Sequence, residues 1–348
     1  MKLQKPKKLQ KGDKLASISL SWGGAAIFPE RYQLGKKRFE EAYGVELVET
    51  RHALRDPQWL FDHPEARAQD LMEAFADPSI KGIISIIGGT DSIRMLPHID
   101  FDVIRANPKV FMGYSDTTVS HFICLKAGVS SFYGPSILAE YAENVEMFAY
   151  TREAVRRTLF EGGVIGEIKP NLDEWTGQML PWEKPENSKI KRIRSKPMGP
   201  QLLQGTGKIQ GHLIGGCVEV VDWFRGTSLW PEPTAWDGAI LFLETSEERP
   251  PAALFRYMLR CLGVMGVFDR IAGVLLGRPM CDPDPAQMMQ YDKQLVEFVV
   301  RECKRPDLPI LSQLDFGHSD PQFVLPIGCR AEIDCERRSL ALIEPCVS

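Results

Sequence analysis

The chain is organised around the stretch Phe111-Met112-Gly113-Tyr114-Ser115-Asp116-Thr117-Thr118. An apolar run ends there at a small residue, turns at Ser115 and enters an apolar stretch from Val119 to Ala127, which predicts a strand, a tight turn and a helix. A serine in such a turn stands at the carboxyl edge of a sheet, with its hydroxyl and the following N–H groups directed toward a ligand. Because Thr117 replaces the second glycine of Gly-x-Ser-x-Gly, a serine that only caps its helix is the alternative.

A second strand end lies upstream of this turn. The segment from Ile80 to Ile87 is apolar and β-branched, typical of a strand buried on both faces, and runs into Gly88-Gly89-Thr90-Asp91-Ser92. The two glycines allow close approach of a ligand, and their N–H groups are candidates for an oxyanion hole, with a plain tight turn as the alternative. Strands and helices alternate from Leu15 to Tyr133, which predicts a parallel, doubly wound α/β sheet.

Composition limits the classes of function. A chain of 348 residues suggests two domains, and a formal net charge of -4 gives no electrostatic case for nucleic acid as a partner. No stretch approaches the ~20 apolar residues of a membrane span, so we expect no membrane partner. The 8 cysteines are scattered singly, which argues against a metal site or a disulfide framework. A reducing cytoplasm is the expected location.

The segment from Gly166 to Pro200 loses periodicity. It holds Trp175 and Trp182 among prolines and interleaved lysines and arginines. Aromatic rings beside cations are able to stack on a flat ring and bind an anion, which suggests a nucleotide-like ligand, whereas a solvated hairpin between domains is the alternative. We therefore predict an N-terminal domain over 1–165, a linker and substrate-binding loop over 166–204, and a C-terminal domain over 205–348.

The second half supplies candidates for an acid and a base. An apolar strand from Ala239 to Leu243 ends at Glu244, a carboxylate that needs a partner if buried, while Glu247 is expected to face solvent or begin the next helix. Among 6 histidines, His318 follows an apolar strand in a polar turn, whereas His121 lies about 240° around its helix from Ser115. The order Ser115, Glu244, His318 is that of α/β-hydrolase triads, although triads are recognised by geometry.

Taken together and in order, five motifs resemble those of the LD-carboxypeptidase family of serine peptidases. The resemblance covers nearly the whole chain, and the long loop with Trp175 and Trp182 makes it more similar to the microcin C immunity, or MccF-like, branch than to the shorter murein tetrapeptide carboxypeptidases. The motifs are Ile87-Gly88-Gly89-Thr90-Asp91-Ser92, Gly113-Tyr114-Ser115-Asp116, Gly211-His212-Leu213-Ile214-Gly215-Gly216, Leu243-Glu244-Thr245-Ser246-Glu247 and Gly317-His318.

The resemblance implies roles for these residues. Ser115 matches the family's nucleophile, Glu244 the acid that orients the histidine, and His318 the base. The oxyanion hole matches backbone N–H groups of Gly88 or Gly89 and of Asp116. The implied fold is a Rossmann-like N-terminal domain with a smaller β-rich α/β C-terminal domain, as a homodimer without a metal or cofactor.

The resemblance also implies a substrate. In the immunity branch a loop tryptophan stacks on the adenine of a peptidyl nucleotide; Trp182 is our choice for that ring, and Trp175 and Asp91 are further candidate substrate contacts. The favoured hypothesis is hydrolysis of microcin C-like peptidyl or aminoacyl nucleotides. Cleavage of murein tetrapeptide before its terminal D-Ala, and a non-catalytic nucleotide- or peptide-binding protein, are the alternatives.

Overall fold

The computed structural model describes residues 1–281 and 284–348, which form two sheets flanked by helices. The strands are β1 (Lys14–Ile18), β2 (Glu46–Glu49), β3 (Ile80–Ser85), β4 (Val110–Gly113), β5 (Phe132–Tyr133), β6 (Gly166–Glu167), β7 (Gln201–Gln204), β8 (Lys208–Cys217), β9 (Ile240–Glu244), β10 (Gly273–Gly277), β11 (Ile310–Leu314), β12 (Leu325–Pro326), β13 (Arg330–Asp334) and β14 (Ser339–Leu342). The helices are α1 (Gly24–Ile27), α2 (Pro29–Tyr43), α3 (Pro57–Asp62), α4 (Pro64–Ala76), α5 (Phe101–Ala106), α6 (Thr118–Ala127), α7 (Ala149–Arg156), α8 (Val218–Trp223), α9 (Ala252–Val264), α10 (Val267–Arg270) and α11 (Pro285–Glu297).

The first sheet has the strand order β12-β5-β4-β3-β1-β2. Strands β1 to β5 are parallel to their neighbours, and β12 pairs antiparallel with β5 at the edge. All four residues of β4 are buried, as are five of the six residues of β3. Both strands are apolar because helices cover the two faces of a parallel sheet.

The second sheet has the strand order β6-β14-β13-β8-β9-β10-β11-β7. Its centre, β8 to β11, is parallel, and antiparallel strands flank it on both sides. The two sheets confirm the predicted fold class, a mixed α/β protein with a largely parallel first sheet and a second β-rich unit. Strand β12 joins the first sheet although it lies late in the chain, so the C-terminal segment binds the two units together.

Individual residues determine the helical structure at two places. Helix α11 begins at Pro285, where the Asp284 side chain accepts a hydrogen bond from Ala286 N at 2.9 Å and caps the helix. The segment after the Gly88-Gly89 turn is a 3-10 helix over Ser92–His98 that contains Pro97. Proline removes a backbone donor, so a regular α-helix does not extend through this turn.

The carboxyl ends of β4, β9 and β11 meet where the sheets face each other. The Thr118 hydroxyl accepts a hydrogen bond from Cys217 N at 3.2 Å, and the Tyr133 hydroxyl donates to Glu244 at 2.5 Å. This junction therefore carries the chemistry-bearing strand ends of both sheets. Within the described residues, no helix has the length and apolar character needed to cross a membrane.

Candidate active site

Ser115 occupies a sharp turn between β4 and α6. Its φ of 63° lies in the left-handed region, which costs energy for a residue other than glycine and turns the side chain out of the strand. The backbone N–H of Ser115 donates to the Tyr133 hydroxyl at 3.3 Å, and the Thr118 hydroxyl donates to the Ser115 carbonyl at 2.7 Å. Within the described part of the chain the Ser115 hydroxyl makes no hydrogen bond, so it does not act as a helix cap.

Two glycines bring the end of β3 against this serine. A Cβ on Gly88 would lie 2.8 Å from the Ser115 Cβ and 3.2 Å from the Asp116 backbone nitrogen. Gly89 has a φ of 149°, and a Cβ there would lie 2.3 Å from the Ser21 hydroxyl. Only glycine allows this approach, which places the Gly88 backbone and the Asp116 N–H beside the same hydroxyl.

The Asp116 side chain ties the two turns together. Its carboxylate accepts hydrogen bonds from Asp91 N at 3.1 Å, from Ser92 N at 3.0 Å and from the Ser92 hydroxyl at 2.7 Å. Burial raises the pKa of Asp116, and these hydrogen bonds oppose the shift. The side chain fixes the turn geometry, while the backbone N–H remains beside Ser115.

Glu244 ends β9 and holds His318. The fully buried carboxylate accepts from the Tyr133 hydroxyl on Oε1 and lies 2.7 Å from His318 Nδ1 on Oε2. The residue before the histidine, Gly317, has a φ of 96°, and a Cβ there would lie 2.5 Å from Glu244 Oε2. The glycine therefore permits a contact that fixes the imidazole with its Nε2 directed away from Glu244.

A second carboxylate faces the other nitrogen of this histidine. Glu247 Oε2 lies 3.0 Å from His318 Nε2, close enough for an ion pair although the angle is not that of a hydrogen bond. Burial alone lowers the pKa of His318, but Glu244 and Glu247 outweigh it and raise that pKa well above its ordinary value. Burial raises the pKa of Glu247, but the imidazole of His318 lowers it by more, so that this pKa falls to about 2.

The sequence did not indicate the contact of Glu247 with His318. Its side chain is 47% exposed, so it faces solvent as expected, and yet it also reaches the histidine. The turn after β9 is held by Glu219, which accepts from Ser246 N at 2.9 Å and from the Ser246 hydroxyl at 2.7 Å. This clamp from α8, distant in sequence, directs Glu247 inward.

Ser115 and His318 line one cavity without a direct hydrogen bond between them in the described structure. Tyr133 links them indirectly, because its hydroxyl accepts from Ser115 N and donates to Glu244. The structure thus places Ser115 and His318 in the wall of one cavity, and Glu244, which does not line the cavity, contacts His318. Tyr133 is a functional candidate that the sequence analysis missed; its place at the end of a strand was the available signal.

The cavity has a volume of about 830 Å³, which suits a ligand of nucleotide size. Trp182 lines it and packs edge-to-face on Phe28, with ring centroids 5.6 Å apart. The Arg31 guanidinium lies 4.3 Å from the Trp182 ring centroid and donates to the Leu138 carbonyl at 2.8 Å. One face of the indole is therefore covered by a fixed cation.

The other two candidate substrate residues are placed differently. Trp175 lies outside this cavity, is 2% exposed and packs in a small cluster with Cys281 and Met288. Asp91 does line the cavity, but its two carboxylate oxygens accept from Arg67 at 2.9 and 3.1 Å. Both residues are thereby engaged in holding the structure around the cavity.

A network of buried charges forms another part of the cavity wall. Arg192 pairs with Glu143 and, at 2.6 Å, with Asp320, while the Tyr114 hydroxyl donates to Glu140 at 2.8 Å. Burial, reinforced by the charge of Asp320, raises the pKa of Glu140 to about 7. This network was not predicted from the sequence, since its members are widely separated in the chain and the cation-rich loop was the one available signal.

His121 lies in the core beneath the serine turn. Its Nε2 is 2.8 Å from the Gly113 carbonyl and its Nδ1 is 2.9 Å from the Ser131 hydroxyl. Burial lowers its pKa to about 4, so it stays neutral and supports the end of β4. It faces away from the Ser115 hydroxyl, as its position on the helix predicted.

Comparison with known proteins gives consistent matches over this whole arrangement. The family model for the LD-carboxypeptidase N-terminal domain matches residues 15–134, and that for the LD-carboxypeptidase C-terminal domain matches residues 210–333. The microcin C7 self-immunity protein MccF of Escherichia coli is 28% identical over 97% of this chain and 95% of its own. A probable murein peptide carboxypeptidase of Bacillus subtilis is 27% identical over 99% of this chain and 95% of its own.

Solved structures agree with these matches. An MccF-like protein from Streptococcus pneumoniae in complex with AMP superposes with a TM-score of 0.84 and 32% identity, covering 96% of this chain and 99% of the other. MccF in complex with aspartyl sulfamoyl adenosine gives a TM-score of 0.85 and 26% identity, covering 99% of this chain and 100% of the other. The chain therefore belongs to the LD-carboxypeptidase family, in its MccF-like branch, and is a serine peptidase of that type.

Proposed function

We propose that this protein is a serine carboxypeptidase that uses Ser115, Glu244 and His318 to hydrolyse the amide bond of microcin C-like peptidyl or aminoacyl nucleotides. One observation carries the proposal: Ser115, His318 and Trp182 line the same cavity of about 830 Å³. A nucleophile and a base at one end, and an aromatic ring backed by a cation elsewhere in the wall, suit a substrate that joins an acyl group to a nucleotide.

The first chemical step uses the buried acid and base. His318 accepts the proton of the Ser115 hydroxyl on Nε2 as the oxygen attacks the amide carbonyl carbon. Glu247 must leave Nε2 for this transfer, and the missing Ser115–His318 hydrogen bond then forms in the substrate complex, as is common for such contacts. Glu244 stabilises the imidazolium through its 2.7 Å contact with Nδ1.

The tetrahedral intermediate places negative charge on the former carbonyl oxygen. The N–H of Asp116 and an N–H of the Gly88-Gly89 turn are the proposed donors, and such donors each contribute about 3 kcal/mol of transition-state stabilisation. Collapse of the intermediate releases the amine, which takes the proton from His318. Water activated by the same histidine then hydrolyses the acyl-enzyme.

Trp182 is the proposed platform for the nucleobase. Arg31 covers one face of the ring and Phe28 meets it edge-on, so a base stacks on the remaining face within the cavity that Trp182 lines. The complexes of the related proteins with AMP and with aspartyl sulfamoyl adenosine support a nucleotide ligand for this chain. We also propose a homodimer, on the family resemblance, and a cytoplasmic location, on the scattered single cysteines.

Cleavage of murein tetrapeptide is the second candidate function. The similarity to a probable murein peptide carboxypeptidase favours it, but a murein peptide has no base to stack on Trp182. The third hypothesis, a binding protein without catalysis, is disfavoured because the chain belongs to a peptidase family.

The deciding experiment compares two substrates, a processed microcin C analogue with an amide-linked aminoacyl adenylate and a murein tetrapeptide ending in D-Ala. Each is incubated with the wild type and with Ser115→Ala, and products are quantified by mass spectrometry. We expect cleavage of the nucleotide substrate by the wild type alone. Cleavage of only the murein peptide would overturn the nucleotide assignment, and equal cleavage by Ser115→Ala would overturn the nucleophile.

A further inference from the structure

The atom that must accept the Ser115 proton is covered in this structure. His318 Nε2 is buried and makes no hydrogen bond with any residue that the structure describes, and the Tyr114 ring packs edge-to-face on the imidazole with centroids 4.9 Å apart. Glu247 Oε2 lies against Nε2 at 3.0 Å. Because a base must come within hydrogen-bond reach of the proton that it takes, the reaction requires Glu247 to move away first.

The Glu247 side chain is able to make this movement. It is 47% exposed and lines the cavity together with His318. In the described part of the chain its carboxylate forms one ion pair, the pair with His318. The next cation along the chain, Arg249, donates instead to the Gly177 carbonyl at 3.3 Å. Rotation of one side chain therefore uncovers Nε2 and leaves the carboxylate facing the cavity.

This rotation separates a carboxylate from its counter-ion. Burial lowers the pKa of His318, but Glu244 and Glu247 outweigh it and raise that pKa well above its ordinary value. The other titratable side chain against the imidazole, Tyr114, donates its hydroxyl to Glu140 and stays neutral. His318 must lose its proton to solvent before it acts as a base, and Glu247 then has no cation beside it. A cation on the substrate takes the place of that lost charge.

The chemistry of the substrate assigns this cation to the acyl part. The phosphoryl group on the nucleotide side of the scissile amide is anionic, so Glu247 repels it. When the Ser115 hydroxyl takes the place of Glu247 at Nε2, the carboxylate moves away from the reacting carbon, which favours a side-chain cation over the α-amine beside the carbonyl. No group of three metal-ligating side chains occurs among the described residues, so an ammonium or guanidinium fits better than a metal ion.

We propose that Glu247 binds a cationic side chain on the acyl part of the substrate and thereby releases His318 Nε2, which makes Glu247 a specificity-determining residue for basic acyl groups. The proposal rests on the proposed function and narrows its substrate class. A neutral acyl group leaves the ion pair between Glu247 and His318 in place, and it is a poorer substrate because the base is then less often available.

The test compares amide-linked acyl adenylates whose side chains end either in an ammonium or in a methyl group. The pairs are 2,4-diaminobutyryl with norvalyl, ornithyl with norleucyl, and lysyl with 2-aminoheptanoyl, so that three chain lengths are covered. We expect the wild type to prefer the ammonium member of at least one pair by about 10-fold or more in kcat/KM, which corresponds to ~1.4 kcal/mol.

Two variants assign this preference to one carboxylate. Glu247→Gln should bring the ratio of the two kcat/KM values to about one, because the methyl-ended compound then also meets an uncovered base. Glu248→Gln is the matched control, since it removes the carboxylate of the exposed neighbouring residue, which does not line the cavity, and should keep the preference. Loss of the preference in Glu248→Gln but not in Glu247→Gln would overturn the assignment.

The pH profile separates this role from a structural one. In the wild type, the apparent pKa of kcat should be lower for the ammonium member than for its methyl partner, since a cation on Glu247 offsets one of the two charges that keep His318 protonated. In Glu247→Gln the two profiles should coincide. An equal loss of activity on both members in Glu247→Gln, with the wild-type pH profile, would reduce Glu247 to a structural residue and overturn the proposal.

A second series of substrates separates this inference from the proposed function. The same acyl groups are presented as p-nitroanilides, which carry no nucleotide. If only the anilides are cleaved, the nucleotide assignment fails, and the ratio of ammonium to methyl compounds on the anilides still tests Glu247. If the wild type cleaves the adenylates with a ratio near one at all three chain lengths, the proposed function stands and the role of Glu247 is overturned.

Discussion

The two ends of the cavity are built in different ways. At the catalytic end, Ser115 follows β4, Glu244 is the last residue of β9 and His318 follows β11. Strand pairing together with buried hydrogen bonds fixes their positions. Trp182 and Arg192 instead belong to an irregular segment of the cavity wall that is held by ion pairs and ring contacts. The sheets position the catalytic residues, and the irregular segment contacts the ligand. Substitutions of the catalytic residues should therefore alter kcat, and substitutions in the irregular segment should alter KM.

The sharpest form of this comparison is a double variant at the catalytic end. Ser115→Ala and His318→Gln should each lower kcat by about 10⁴-fold or more, and the double variant should lose no more than either alone, because the two residues act as one unit. The measurement is single-turnover hydrolysis of the adenylate analogue. If the fold losses in kcat of the two single variants multiplied in the double variant, the two side chains would act independently, which would contradict the triad.

The two tryptophans of the irregular segment test the other end. Trp175→Ala should lower the free energy of unfolding by about 3–5 kcal/mol, because the ring is buried, and should leave KM unchanged in folded protein. Trp182→Ala should instead raise KM by about 10-fold, within the ~1–3 kcal/mol of base stacking, at constant kcat. Urea unfolding and steady-state kinetics separate the two effects.

Trp223 provides the control for this pair. It is 41% exposed at the end of α8, so Trp223→Ala should change neither the free energy of unfolding nor KM. A rise in KM for Trp175→Ala without loss of stability would instead indicate that Trp175 contacts the substrate.

The sequence predicted the catalytic end better than the wall opposite. Strands buried in a parallel sheet read as apolar runs, and their carboxyl ends meet, so Ser115 and Glu244 were identifiable from where such runs stop. The sequence also indicated Gly88 and Gly317, each as part of a motif. A side chain at either position would collide with its neighbours, so glycine is required there.

The remaining contacts were beyond sequence reasoning for a physical reason. Glu247 reaches His318 because Glu219 clamps the turn, and Arg192 reaches Asp320 across 128 positions. Such side-chain contacts have no periodicity, since they depend on how loops from both units pack at the junction. Trp175 and Trp182 look equivalent in the sequence, and only packing distinguishes the buried ring from the ring in the cavity.

Tyr133 connects the first sheet to the acid of the second. Tyr133→Phe leaves Glu244 Oε1 without its donor, so we expect a loss of about 1–3 kcal/mol in the free energy of unfolding and a fall in kcat of about 10-fold. Tyr32→Phe is the matched control: its buried hydroxyl bonds Ser17 at 2.7 Å and Glu49 at 3.0 Å outside the cavity, so stability alone should fall. An unchanged kcat in Tyr133→Phe would reduce Tyr133 to a structural residue.

The smallest expected effect concerns Glu247, whose carboxylate contacts His318 at the catalytic end. His318 must be neutral to accept a proton, and the two carboxylates raise its pKa against the effect of burial, so activity should fall as the pH drops through that raised pKa. Glu247→Gln removes one of these charges and should lower the apparent pKa of kcat/KM, which raises activity on the acid side. Glu248→Gln, at the exposed neighbouring position, should leave the pH profile unchanged.

The same substitution should change how stability depends on pH. A histidine whose pKa is raised by folding stabilises the protein fully below its unfolded pKa of about 6.5, and this contribution is lost as the pH rises through the folded value. Glu247→Gln should therefore cost stability at pH 6 and progressively less at higher pH. Unfolding measured at several pH values tests the sign: a loss that grows with pH would mean that Glu247 pairs with something other than the imidazolium.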